Sequence, residues 1–483
     1  MFLISLEFAL FLFAVVWLNW ALRDRKTAYR VFLLTANLLF YATQKTGLLL
    51  LPLSVGLSNY LFALLISRAK GNRLRRVWLC ADIVLNLGFL AFFKYFEFLY
   101  HCIDSVLVPL GLDLPPPFIE LCFPIGISFF TFQGISYCID VYRDPKCLMS
   151  NPVDVLLFVS FFPTILAGPI MRAGQFIPQI DKPSYDSRSF REAFALMLIG
   201  LFKKLVISSY ISEHIVRDVF QVPAAYSSIT VLMAVYAYSI QIYCDFSGYS
   251  DIAIGIAQLL GFRLPQNFGQ PYAVSNVQQF WHHWHISLST WLRDYLFIPL
   301  GGSRKGKFRK YLNLMATMVI GGLWHGPHSR FVLWGTLHGI ALSLTHAYHD
   351  IRKIRPEPAG RPKTGLPSSI RTYAMKTGAW FFTFNLVSFL WIFFQAEDSA
   401  RALEIVQAIF SMKATGMGFE SGVPAAVAAG LMIQFAGPYA IDIFSRVQQQ
   451  MPVAIQAALI ALLCILIIRL GPSGVPPFIY FQF

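Results

Sequence analysis

Eight of the ten histidines fall between His282 and His349, and three stretches in or just ahead of that region gather polar side chains able to do chemistry. The first reads Asp245-Phe-Ser-Gly-Tyr-Ser-Asp251. It is expected to end one hydrophobic helix and open another. Ser250 or Asp251 would then cap the second helix by accepting its orphan amide hydrogens. In the functional reading, Asp245 and Asp251 line a polar funnel. The second stretch is Phe280-Trp-His-His-Trp-His285-Ile-Ser-Leu-Ser289-Thr-Trp-Leu-Arg-Asp-Tyr295. Ser275 followed by Gln278 has capping-box spacing, which predicts a helix start there. His285, Ser289 and Arg293 recur every four residues, so on that helix they share one face suited to a cavity wall. Trp281, Trp284 and Trp291 suit a lipid interface, where the apolar ring and the polar N–H are both satisfied. The third stretch is Gly321-Gly-Leu-Trp324-His325-Gly-Pro-His328.

A histidine beside Gly and Pro at the end of an apolar segment stands on a backbone break that can expose its ring to a wet cavity. An imidazole titrating near pH 6.5 suits removal of a proton from a hydroxyl. Read alone, His325 is either such a base or a histidine bonded to a neighbouring helix. A metal centre is a weaker reading. His325-x-x-His328 and His346-x-x-His349 have ligand-like spacing, but the His-x-x-His-His pattern of membrane di-iron enzymes is missing. No metal is expected. There is no Gly-x-Ser-x-Gly elbow, no P-loop and no dinucleotide fingerprint, which argues against serine hydrolysis, phosphate hydrolysis and hydride transfer.

The elements that position these residues must lie in lipid. Of 483 residues, 56% are hydrophobic and 13% charged, about half the charged share of a soluble domain; mean hydropathy is +0.57. An all-α, polytopic fold of roughly 11–13 membrane segments, re-entrant ones included, around a central funnel is expected, as one membrane domain over 1–483. Candidate segments are 2–22, 31–46, 48–67, 77–101, 121–142, 153–171, 192–212, 228–244, 311–325, 330–347, 378–395, 424–440 and 453–469. The 311–325 segment is short, and Gly321, Gly322, Gly326 and Pro327 suggest that it is broken and re-entrant. The first segment is too long for a signal peptide's apolar region and reads as a retained helix.

The net charge of +14 is explained by cytoplasmic Lys and Arg, not by nucleic acid. Basic clusters at Arg23–Arg30, Arg68–Arg76, Arg304–Lys310 and Arg352–Lys376 are read as cytoplasmic. The loop at Pro115–Pro117 is read as outside, and both termini as periplasmic. The topology of 171–303 stays open. The cysteines show no CxxC and no disulfide framework.

The runs Asp245–Tyr249, Gln279–Tyr295 and Gly322–Gly326, in this order, resemble the membrane-bound O-acyltransferase family. So do Phe123-Pro-Ile-Gly-Ile-Ser-Phe-Phe-Thr-Phe-Gln133, Phe161-Phe-Pro-Thr-Ile-Leu-Ala-Gly-Pro169 and the tail Pro477–Phe483. The likeness covers about 90–350 plus a tail at 470–483. It is nearest to the bacterial branch that holds the alginate O-acetyltransferase membrane subunit and the lipoteichoic acid D-alanylation protein. The resemblance implies that the family's catalytic-base histidine falls on His325. A second family position, often His or Asn, falls on His285. Trp324 would line the funnel with Asp245, Asp251 and Ser289. His282 and His283 depart from the arginines expected before Trp284 in alginate-type members.

The activity implied is transfer of acetyl from a cytoplasmic donor, acetyl-CoA, across the inner membrane to an exported polysaccharide, alginate foremost. Cellulose, peptidoglycan or another polymer, or D-alanyl transfer, are the alternatives; a flippase for lipid-linked sugar is the reading from another class. No cofactor is expected to stay bound. Arg304, Lys305 and Lys307 would attract the CoA phosphates. A periplasmic esterase-like acetyltransferase is the expected partner, and Tyr480 a candidate acyl relay.

Overall fold

The computed structural model describes residues 5–43, 46–112, 124–181, 183, 187–352, 370–435, 451–452 and scattered positions between 455 and 469. Tyr480, the Pro115–Pro117 loop and most of the basic insert after Arg352 lie outside the described residues. The protein is an all-α, multi-pass membrane protein. Five described helices are long and apolar enough to cross a bilayer, and among the described residues the only β pairing is an isolated bridge between Tyr226 and Met417.

The described chain falls into two compact units. The first holds 1–197 and 252–265. Its helices are α1 (Leu6–Leu22), α2 (Lys26–Ala42), α3 (Leu50–Arg68), α4 (Asn72–Phe93), α5 (Phe96–Leu107), α6 (Ile127–Arg143), α7 (Pro152–Ser160), α8 (Phe162–Ile165) and α9 (Ala173–Asp181). Helix α3 packs against α4, α6 and α7. The apolar run 153–171 forms two short helices because the backbone turns extended at Phe161, just before Pro163. The broken ladder is repaired by a side chain: Phe162 N–H donates to Asn37 Oδ1 of α2 at 3.0 Å. That repair is what an interruption at membrane depth requires. Gly126 has φ +82°, and a Cβ there would lie 2.0 Å from the Ile165 carbonyl oxygen. The Pro-Ile-Gly-Ile and Phe-Phe-Pro-Thr-Ile motifs therefore meet backbone to backbone, a contact that only glycine permits.

The second unit holds 198–251 and 266–483. It takes part of α10 (Ser189–Gln221) and most of α11 (Ser228–Leu259), followed by α12 (Val277–His283), α13 (Ile286–Leu292), α14 (Lys307–His325), α15 (Ser329–Arg352), α16 (Ile370–Gln395), α17 (Ser399–Phe410) and α18 (Gly422–Phe435). Several local expectations are corrected here. Asp245–Asp251 does not join two helices; it lies inside α11. Its carboxylates are satisfied by lysines of α10, and Ser250 Oγ accepts from Asn267 Nδ2 at 3.1 Å. With these partners the polar run caps nothing.

Helix α12 starts one residue later than expected. Asn276 Oδ1 accepts from Gln279 N–H at 2.8 Å, while Gln279 Oε1 accepts from Ser275 N–H at 3.2 Å. Helix α14 runs unbroken through Gly321 and Gly322. Those glycines serve packing: a Cβ on Gly322 would lie 2.2 Å from the Phe331 carbonyl, and one on Gly335 would lie 2.4 Å from that of Met318. Helices α14 and α15 thus pack as an antiparallel hairpin, whose far end is tied by Lys310 Nζ to Asp350 Oδ2 at 3.0 Å.

Candidate active site

The break between α12 and α13 is made by His285 itself, which sits at φ 41°, ψ 57°. A non-glycine residue in the left-handed region is uncommon and carries strain. His285, Ser289 and Arg293 are therefore not on one continuous helical face. Ser289 Oγ donates to the Trp284 carbonyl at 3.1 Å, and exposed Arg293 pairs with Asp294. The turn swings the His285 ring inward, where it is 1% exposed. It meets Phe246 of α11 edge to face at 4.6 Å and Trp324 at 5.8 Å. Trp284 and Trp291 are buried as well. They pack the interior and do not form an interfacial belt.

His325 ends α14 and is 4% exposed. Four aromatic rings surround it: Trp324 at 5.1 Å, Trp334 at 5.1 Å, Phe394 at 5.1 Å and Phe331 at 6.4 Å. Gly326 makes room for this cage, since a Cβ there would overlap the Phe331 ring at 2.4 Å. Trp324 touches both His285 and His325. The fold thus brings together the two histidines singled out by sequence, with Trp324 between them.

Other candidates lie elsewhere. Arg304, Lys305 and Lys307 are exposed at the start of α14, which is 19 residues long. A rise of about 1.5 Å per residue puts them roughly 27 Å from His325 along the helix. Asp245 and Asp251 form ion pairs with Lys204 and Lys203. Among the described residues no three His, Cys, Asp or Glu side chains are grouped as metal donors.

The membrane-bound O-acyltransferase family model matches residues 8–388, which includes Trp324, His325 and the His285 turn. The chain belongs to the membrane-bound O-acyltransferase family. It is similar to the "Probable alginate O-acetylase AlgI" of Pseudomonas putida, 33% identical over 98% of each chain. It is also similar to the peptidoglycan O-acetyltransferase of Helicobacter pylori, 36% identical over 80% of this chain and 75% of that protein. The teichoic acid D-alanyltransferase of Bacillus subtilis is 29% identical over 56% and 74%.

As a membrane-bound O-acyltransferase the protein is an acyl-transferring enzyme, and its caged histidine has supports that sequence reasoning missed. Buried Arg330 donates from one Nη to the carbonyls of Phe394 and Ala396, both at 2.6 Å. This satisfies the end of α16 and fixes Phe394 against His325. Nothing in the spacing around Arg330 announces that role, because its partners lie more than sixty residues away. Lys203 and Lys204 carried a readable signal: two lysines within an apolar run demand partners inside the membrane.

Proposed function

We propose that this membrane-bound O-acyltransferase moves an acetyl group from cytoplasmic acetyl-CoA across the bacterial inner membrane for O-acetylation of an exported polysaccharide, alginate in first place. The observation that carries the reading is the likeness to a probable alginate O-acetylase over 98% of both chains, joined to a histidine pair around Trp324.

In this reading His325 takes the proton of the acceptor hydroxyl as that oxygen attacks the thioester carbonyl carbon. The carbon–sulfur bond then breaks, and His325 returns the proton to the departing sulfur. Nearby His285 orients or polarises the acyl carbonyl. Arg304, Lys305 and Lys307 attract the donor's phosphates from the cytoplasm. Because they stand at the opposite end of α14 from His325, the acyl group must arrive on a long arm. Both termini face the periplasm, where an esterase-like partner receives the acyl group and passes it to the polymer. Tyr480 is the candidate relay: a phenol ester is a better acyl donor than an alkyl ester.

Likeness to a peptidoglycan O-acetyltransferase and, at lower identity, to a teichoic acid D-alanyltransferase supports the second reading, another polymer or D-alanyl transfer. The test is a deletion strain complemented with wild type, His325→Ala or Tyr480→Phe. Polymer acetyl content is read by NMR, with membrane levels of the protein matched. Acetylation is expected to vanish with His325→Ala; retained acetylation would place the base elsewhere. Full acetylation with Tyr480→Phe would remove the relay. Acetyl missing from peptidoglycan, or D-alanine from teichoic acid, would replace alginate as the acceptor.

A further inference from the structure

His338 is fully buried, and among the described residues neither of its ring nitrogens meets a hydrogen-bond partner. The indole N–H groups of Trp281 and Trp334 are unpartnered in the same way. These three side chains touch one another. Ring centroids are 5.1 Å apart for Trp281 and His338, 4.7 Å for Trp334 and His338, and 5.8 Å for the two indoles. Phe280 lies parallel to the imidazole at 6.1 Å. A polar atom buried without a partner costs about 1–3 kcal/mol. A phenylalanine would fill the same aromatic box without that cost, so packing alone does not explain a histidine at this position.

The box lies between the basic residues and His325. Helices α14 and α15 run antiparallel, and a Cβ on Gly339 would meet Met315 and Met318. His338 therefore stands beside the middle of α14, between Lys307 at its start and His325 at its end. Trp334 touches both His325 and His338, with ring centroids 5.1 Å and 4.7 Å away. Trp281 is only half-buried, and it is the side chain whose movement would open the box.

We propose that His338, with the indole N–H groups of Trp281 and Trp334, forms a polar subsite for the amide-bearing arm of the acyl donor. The inference rests on the reading that the donor enters from the basic end. A pantetheine-type arm carries secondary amides, each with one donor and one acceptor. A neutral imidazole offers the complementary acceptor and donor, and the indoles add donors for carbonyl oxygens. In the closed box these groups are held ready, and the arm satisfies them as it carries the acyl group to His325. His338 is thus a positioning residue and takes no part in proton transfer at the reacting carbon.

The test measures thiol release from acetyl-CoA by the purified full-length protein in lipid nanodiscs, with the periplasmic esterase-like partner present to receive the acetyl group, giving kcat and KM. His338→Phe keeps the aromatic packing and removes the polar atoms. It is expected to raise KM about tenfold, leave kcat within about threefold and raise Tm, because the lost contact is made with the bound arm. His338→Gln restores a donor and an acceptor, and is expected to recover most of the KM while melting lower than the Phe variant. A packing role predicts the reverse order, with Phe wild-type-like in KM and Gln impaired; that result overturns the subsite. If His338→Phe fails to accumulate, Trp281→Phe removes one indole N–H and is expected to raise KM about threefold; an unchanged KM there also overturns it. Wild-type protein that releases no thiol from acetyl-CoA overturns the donor reading itself, and the subsite with it.

Discussion

Lys203 Nζ lies 2.7 Å from Asp251 Oδ2, and the adjacent Lys204 pairs with Asp245 on the same helix. Two cations from one π-helical stretch, Phe202–Ser208, thus clasp two carboxylates of α11. The approach is possible because position 248 is glycine: a Cβ there would lie 2.7 Å from the Gly200 carbonyl oxygen. Such π turns recur at functional sites, and here one turn aims two successive lysines at one helix.

Breaking one pair removes the counter-charge of a buried carboxylate. Lys204→Met should cost about 3–5 kcal/mol, since it removes the cation that neutralises buried Asp245. The double variant Lys204→Met with Asp245→Leu should recover most of that loss. Thermal unfolding of the detergent-solubilised protein reads both. A double variant no more stable than the single one would show that the pair supplies more than mutual neutralisation.

The close approach of α14 and α15 depends on Gly335. Its Cβ would meet the Met318 carbonyl, a backbone atom that cannot rotate away. Gly335→Ala should therefore destabilise by about 1–3 kcal/mol. It should also lower turnover, because α14 ends in His325 and must shift along its length. An alanine variant with unchanged Tm and rate would contradict this account of the hairpin.

Arg330→Met removes two hydrogen bonds to the end of α16. Charge-assisted bonds of this kind contribute about 1.5–3 kcal/mol each, so a Tm drop is expected. The functional effect should fall on kcat, because Phe394 forms one wall of the His325 cage. A lowered Tm with normal kcat would confine Arg330 to stability.

At His285 the backbone and the imidazole can be separated. Asparagine tolerates the left-handed conformation, whereas a β-branched residue does not. His285→Asn should melt near the wild type, and His285→Val should lose about 1–2 kcal/mol. If the imidazole orients the acyl group, both variants lose activity, with Asn retaining the larger part. Equal activity in wild type and Val would remove His285 from the site.

Much was legible before any coordinates. Continuous apolar runs of about 20 residues with low charge point to an all-α membrane fold, because a helix satisfies its own backbone polar groups in lipid and a barrel strand would show about ten alternating residues. The Gly-Gly-Leu-Trp-His run marks His325 as a candidate by local chemistry, and the family resemblance assigns it the role of base. Other features depended on partners remote in the chain. Asp245 and Asp251 read as helix-capping or funnel residues because nothing within α11 shows that Lys203 and Lys204 approach from α10. His285 reads as one residue of a helical stripe because spacing cannot foretell a left-handed turn. Gly321 and Gly322 read as a break, yet they allow one helix to press against another. Arg330 and His338 stand in an apolar segment, but their partners there could not be read from spacing. Periodicity and residue type determine which segments enter the bilayer. Which side chain neutralises or encloses another is decided only when distant helices pack, because burial removes water as the alternative partner for every polar group.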